Sequence, residues 1–301
     1  MNSLQYRKSR MKQLSQSWGM KRVNDLFTEW EIPPQLYSSL VKSVCLYVSK
    51  AFHFENSDNE EIFLSRLDAS RNFRRNVKPN GGIVPKREYA VEYNLFIRSW
   101  CDIVRHMVKK EPEKLKKFRL TPNVRVKFGN ELEENIGRGL DTALPHSDSW
   151  VEGPWGMNCH VPILGDTEKN YLHFYRLKDE SLFQDNFLET SAKYTDMQWV
   201  VSYYEDDVIV PKRNFVSISD YALIHKTRRV KNAGTRISID TTVFAGDHDV
   251  HPDRASEYLS RIPRVGEDLF IQCLASENED FSDKKTVFSH YTSGTLRHVW
   301  L

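Results

Sequence analysis

The residues best equipped for chemistry in this chain are His146, Asp148 and His225. Two imidazoles and one carboxylate on one face of a redox metal leave three coordination positions open for a chelating ligand and dioxygen. In an extended segment, residues two apart point the same way, so His146 and Asp148 of His146-Ser-Asp148 reach one ion together. The third ligand is expected from a strand far along a sheet. His225 ends Asp220-Tyr-Ala-Leu-Ile-His225, 77 positions after Asp148 (225 − 148). H-x-D alone is weak: with ten histidines, about one such match arises by chance. A second one, His251-Pro-Asp253, has no suitable downstream partner and reads as a solvated loop rather than a second metal site.

The specific signal follows His225. Arg236 lies eleven positions on (236 − 225), and Ser238 two further, giving H-x10-R-x-S; no other histidine has an arginine at that spacing. A turn at Asn232-Ala-Gly234 brings the next strand back beside the His225 strand, so Arg236 and Ser238 point into the cavity of the metal ligands. A buried guanidinium needs a carboxylate, and its planar fork suits the far end of a dicarboxylate. The alternative is an ordinary strand with an internal Arg236–Asp240 pair.

Other residues surround this cavity. Asn158 and His160 share one strand face and either hydrogen-bond a co-substrate or are satisfied internally. His173 and Tyr175 pose the same question more weakly. Arg125 and Lys127 read as the polar outer face of an edge strand, the alternative being contact with an acidic substrate. Ser149-Trp-Val-Glu-Gly-Pro-Trp-Gly-Met-Asn158 is either a rigid loop at the mouth of the site or a packed corner. Arg71, Arg74, Arg75 and Lys78 form a basic loop, most simply a solvated one.

The elements that must position these groups can be read from periodicity. Leu36 to Phe52, after Pro33-Pro34, and Tyr89 to Val108 read as helices. Lys109–Lys117 reads as a charged connector. From about residue 120, strands are expected at Val124–Phe128, Met157–Leu164, Tyr171–Leu177, Trp199–Tyr204, Asp207–Val210, Phe215–Ile218, Ala222–His225 and Arg236–Phe244. A short helix is expected over Ala255–Ile262. Many short strands without intervening helices imply an antiparallel sandwich or barrel. The 301 residues, 40% hydrophobic and 28% charged, suit one large globular domain. A net charge of only +2 gives no bulk argument for nucleic acid. With no membrane-length apolar run or signal-type stretch, a cytoplasmic location is expected. Cys45, Cys101, Cys159 and Cys273 are scattered and read as buried reduced thiols.

His146-x-Asp148, His225 and Arg236-x-Ser238 resemble the signature of the Fe(II)/2-oxoglutarate-dependent oxygenases over residues 146 to 238. The strand pattern from about 121 to 245 is similar to that family's core. The resemblance implies an α+β fold: a double-stranded β-helix (jelly-roll, cupin-like) core at 121–246, a helical region at 1–120 packed on it, and a C-terminal extension at 247–301. It implies Fe(II) on His146, Asp148 and His225, with 2-oxoglutarate and O2 as co-substrates and Arg236, Ser238, Asn158 and His160 around the former. Asp148, where the halogenating branch has Gly or Ala, argues against that branch. His146-Ser-Asp-Ser-Trp150, Gly153-Pro-Trp-Gly156 and Asn158 further resemble the Kdo 3-hydroxylases. That resemblance implies hydroxylation at the 3-position of the acidic sugar Kdo in Kdo-lipid A, with release of succinate and CO2. It also implies a sugar or lipid-linked sugar as partner, no nucleic acid, and peripheral contact with the inner membrane. The basic N-terminus (Arg7, Lys8, Arg10, Lys12) and the 71–78 loop are compatible with an anionic membrane surface. Two alternatives stay open: another small-molecule hydroxylase of natural-product or amino-sugar biosynthesis, and a non-oxidative cupin-like metal protein.

Overall fold

The computed structural model describes residues 3–73, 76–78, 80–129, 144–246, 258–275 and 294–301. Arg74, Arg75 and His251-Pro-Asp253 lie outside them.

The chain opens with helix α1 (Ser3–Trp18) and two strands, β1 (Lys21–Arg22) and β2 (Phe27–Glu31). Helix α2 (Pro34–Ala51) starts where expected, with proline in its first turn, where a missing N–H costs nothing. Helix α3 (Glu60–Ala69) begins at Asn59, whose side chain accepts from the Ile62 amide at 3.0 Å. Helix α4 (Ala90–Met107) buries Tyr93, Phe96, Ile97, Trp100, Cys101, Val104 and Met107, a stripe at helical spacing.

Strands then dominate. They are β3 (Lys117–Arg119), β4 (Asn123–Lys127), β5 (Met157–Gly165), β6 (Asn170–Leu177), β7 (Tyr204–Asp206), β8 (Phe215–Asp220), β9 (Ile224–Arg229), β10 (Arg236–Phe244), β11 (Tyr258–Leu259), β12 (Leu269–Ala275) and β13 (Gly294–Trp300). A four-residue helix, α5 (Ser149–Glu152), lies between β4 and β5. The larger antiparallel sheet runs β1-β2-β8-β5-β10-β3-β11, with β4 also paired to β10. The smaller runs β7-β6-β9, and His146 extends it through reciprocal backbone hydrogen bonds of 2.9 Å with His225. The two sheets line a common cavity, which is the expected double-stranded β-helix, and the α+β class holds.

Alternation on the large sheet separates core from site. Met157, Cys159, Val161, Ile237, Ile239, Val124, Val126, Val216 and Ile218 pack with α2 and α4 in one apolar cluster. The residues between them, Asn158, His160, Arg236, Ser238, Asp240 and Arg125, line the cavity. β10 slips one residue against β5 between Ile237 and Ser238, opposite Pro162, which has no N–H for the ladder.

Several expectations are corrected. Trp199–Tyr204 is not a strand: Tyr194–Tyr203 is a 3-10 helix packed through Phe187, Trp199 and Tyr203. The neighbouring strand is Tyr204–Asp206 rather than Asp207–Val210. The Ala222–His225 strand begins at Ile224, because Asp220–Leu223 is a tight turn closed by the Leu223 amide on the Asp220 carbonyl. Within Ala255–Ile262, Tyr258–Leu259 is a strand on β3 rather than part of a helix. The first 120 residues also contribute strands: β2 pairs with β8, and β3 with β10. All four cysteines are free and buried. No helix among the described residues is long and apolar enough to cross a membrane.

Candidate metal centre and co-substrate cavity

Metal-ligand geometry comes first. His146, Asp148 and His225 each offer one donor atom, and these lie within 4.8 Å of one another. His146 Nε2 is 3.8 Å from Asp148 Oδ1, and His225 Nε2 is 3.7 Å from Asp148 Oδ2. The two imidazoles stand 4.6 Å apart at 56°. Such spacing would let three donors share one ion. Nδ1 of His146 lies 2.8 Å from the Leu144 carbonyl, which fixes the proton there and turns Nε2 toward the centre. Burial, and then the neighbouring His225, push the His146 pKa well below the usual histidine value, so its imidazole is neutral and fit to bind a cation. Asn158 Nδ2 donates to Asp148 Oδ2 at 2.6 Å and steadies the carboxylate.

The local sequence explains this convergence. Ser147, between the two ligands, donates through Oγ to the Tyr221 carbonyl at 2.7 Å and accepts the Ser149 amide at 3.1 Å. The H-x-D segment is thereby tied to the turn leading into His225. Helix α5 then carries Glu152, which accepts from Tyr221 Oη at 2.8 Å, from Tyr258 Oη at 3.0 Å and from Thr242 Oγ1. Gly156 sits against Tyr221: a Cβ there would come within 2.5 Å of the ring. Trp150 is fully buried and its indole N–H donates to the Phe187 carbonyl at 2.8 Å. The Trp- and Gly-rich segment is therefore a packed corner behind the site.

Across the cavity Arg236 is 2% exposed, and among the described residues its Nε and Nη1 have no hydrogen-bond partner; Ser238 Oγ has none there either. The expected alternative partner, Asp240, is committed elsewhere. It accepts from Arg125 through Nε and through Nη2 (2.8 Å), and from Asn123 Nδ2 at 3.0 Å. Burial works against the charge of Asp240, but Arg125 outweighs it and the pKa falls below the ordinary range. Burial lowers Arg236 to about 10, which leaves it cationic at neutral pH. His160 lines the same cavity with both ring nitrogens unpartnered among the described residues; burial, and then Arg236, push its pKa down to about 3. The Oδ1 atom of Asn158 is also unpartnered.

Arg125 and Lys127 therefore line the cavity, contrary to the expectation of a solvent-facing edge. They sit directly opposite Ser238 and Arg236 across β4 and β10, and opposite residues share a face. His173 lies outside the cavity lining, its Nε2 3.1 Å from Asp206 Oδ1, and Lys226 stacks on Tyr175. Motif reasoning missed Tyr194, whose ring is 4.7 Å from His146, and the supporting Ser147, Glu152 and Asp220. The N-terminal basic residues are also redirected: Arg7 and Arg10 are buried against Asp220.

No protein-family profile and no curated protein matches the sequence. Among solved structures, the chain is similar to a non-heme α-ketoglutarate-dependent carbocyclase, SnoK, from nogalamycin biosynthesis, at 8% identity over 83% of this chain and 87% of that one, TM-score 0.44. It is similar to AviO1 from Streptomyces viridochromogenes Tue57 at 13% identity over 80% and 98%, TM-score 0.42. It is also similar to the non-heme α-ketoglutarate-dependent epimerase SnoN from nogalamycin biosynthesis, at 9% identity over 78% and 83%, TM-score 0.41. Similarity at this level assigns neither substrate nor chemistry to this chain.

Proposed function

We propose that the chain is an Fe(II)- and 2-oxoglutarate-dependent oxygenase, with His146, Asp148 and His225 as iron ligands and Arg236 and Ser238 gripping the distal carboxylate of 2-oxoglutarate. One observation carries this reading: a buried, partly unpaired guanidinium and an unpaired hydroxyl share the cavity of a His-Asp-His cluster. Each buried donor left unpaired costs about 1–3 kcal/mol. An acceptor-only dicarboxylate answers them, and the donor set of two imidazoles and one carboxylate suits Fe(II). When bound, iron and 2-oxoglutarate supply the oxidising power that couples O2 reduction and decarboxylation to hydroxylation of a substrate C–H bond.

The protein's own contribution is geometric. Arg236 and Ser238 fix one end of the co-substrate. His160 and Asn158 line the same cavity, with donor or acceptor capacity to spare. Leu172, from the small sheet, adds an apolar side chain to the cavity lining.

For the substrate, the resemblance to Kdo 3-hydroxylases adds an acidic sugar, Kdo in Kdo-lipid A. Arg125 and Lys127 line the cavity wall, with Arg125 already held by Asp240. The alternative is a small-molecule substrate of natural-product or amino-sugar biosynthesis. With Arg7 and Arg10 turned inward, the N-terminus lends less to peripheral membrane contact than its composition suggests. The test is succinate formation from 2-oxoglutarate with Fe(II) and O2, compared across Kdo-lipid A, free Kdo and neutral sugars. Stimulation by Kdo-lipid A alone supports the finer reading. Absence of both 2-oxoglutarate binding and succinate formation by the metal-loaded protein overturns the whole of it.

A further inference from the structure

Helix α1 carries a stripe at Leu4, Arg7, Met11, Leu14 and Trp18, all buried. An arginine occupies a position where the 3.6-residue period calls for an apolar side chain. Its partner lies 213 residues away: Arg7 Nη1 donates to Asp220 Oδ1 at 3.1 Å, and Nη2 to the Pro154 carbonyl at 2.6 Å. Arg10 repeats the pattern, with Nη2 to Asp220 Oδ2 at 2.5 Å and Nη1 to the Trp155 carbonyl at 2.9 Å. The Arg7 guanidinium also lies 4.4 Å over the Trp155 ring.

Each guanidinium thus bridges the same two segments. One leaves β8 at Asp220 and turns into His225; Asp220 Oδ1 also accepts the Ala222 amide of that turn at 2.8 Å. The other leaves α5, the short helix that begins just after Asp148. The same segments are also joined by Ser147 to the Tyr221 carbonyl and by Tyr221 to Glu152. Two buried cations on one carboxylate add little net stability compared with packed apolar residues. What they supply is a fixed register between the segments that bear the ligands.

We propose that α1 is the keystone of the metal centre, and that Arg7 and Arg10 are positioning residues that set the separation of His225 from the His146–Asp148 segment. The proposal rests on those three residues being the metal ligands.

The test titrates Co(II) into the full-length protein: wild type, Arg7→Met, Arg10→Met, Arg10→Lys and a His225→Ala control. Affinity and the d–d absorption band are read, with circular dichroism and thermal melts alongside. Arg7→Met and Arg10→Met should stay folded, bind Co(II) about ten- to a hundredfold more weakly and shift the band; Arg10→Lys, which keeps a cation at Asp220, should recover part of both. Met variants that fold and bind with wild-type affinity and spectrum overturn the keystone role. Should they fail to fold, hydrogen exchange of Arg10→Lys decides: faster exchange at residues 144–148 and 222–226 together supports the proposal, and wild-type exchange in both overturns it. A His225→Ala protein that binds Co(II) like wild type would instead remove the ligand assignment, a result distinct from failure of the keystone.

Discussion

Asp240 and Arg236 stand four residues apart on β10, yet they do not satisfy each other, because Arg125 of the adjacent strand β4 holds the Asp240 carboxylate through two nitrogens. Arg236 remains buried, with Nε and Nη1 unpartnered among the described residues. Arg236→Ala should weaken 2-oxoglutarate binding by about 2–4 kcal/mol, the scale of a buried charged hydrogen-bonded pair. Co(II) binding should be unchanged, since Arg236 is no ligand. Calorimetry of 2-oxoglutarate against Co(II)-loaded protein checks this; equal affinities for variant and wild type would remove Arg236 from the site.

The Arg125–Asp240 pair invites a double-mutant cycle. Arg125→Met alone leaves a carboxylate stranded in the cavity and should cost about 3 kcal/mol of stability. Arg125→Met combined with Asp240→Leu should cost less than the sum of the two single changes, by at least 1 kcal/mol. Urea unfolding of the four proteins measures the coupling. Additive losses would mean that the pair is not formed in solution.

Asn158 donates to Asp148 at 2.6 Å. Asn158→Ala frees the carboxylate to rotate and should reduce Co(II) affinity about tenfold or more while leaving the melting temperature within a few degrees. A variant with unchanged affinity would show that Asp148 is held by the backbone of α5 alone.

The pH dependence of the metal-free protein should carry the mark of His160. Its folded pKa, near 3, lies below its unfolded value of about 6.5. Between those values the unfolded chain binds the extra proton, so stability falls as pH drops, by about 1.4 kcal/mol per unit for one group. Asp220 acts further down: burial opposes its charge, but Arg7 and Arg10 outweigh burial and depress its pKa. Its contribution is present above the unfolded value of about 3.9 and is lost as pH falls through the folded one. Denaturant unfolding across pH 4 to 7 in the presence of chelator should show a shallower slope for His160→Gln. Parallel profiles for the two proteins would place His160 in contact with solvent.

Much of this was legible in the sequence because strand alternation and the H-x-D, H-x10-R-x-S spacing are local and periodic. β5, β8 and β10 lie where alternation places them, and it sorts Asn158, His160, Arg236 and Ser238 onto one face. Trp199–Tyr204 is not legible as helix because its aromatics pack on Phe187 from a 3-10 helix, and aromatic content without strict alternation does not distinguish that from a strand. Helix α1 is not legible from periodicity, because its apolar stripe is interrupted by Arg7, which looks like surface charge until Asp220 is brought to it.

The sequence by itself determined which groups can bind a metal and an anion, since those follow from side-chain chemistry and from spacing along single strands. Tertiary structure alone decided which charges are spent internally. Asp240 goes to Arg125 and not to Arg236, and Arg7 and Arg10 go to Asp220 and not to solvent. Ion pairing depends on distances between elements that lie far apart in the chain, and a buried charge takes whichever partner the packing places within reach.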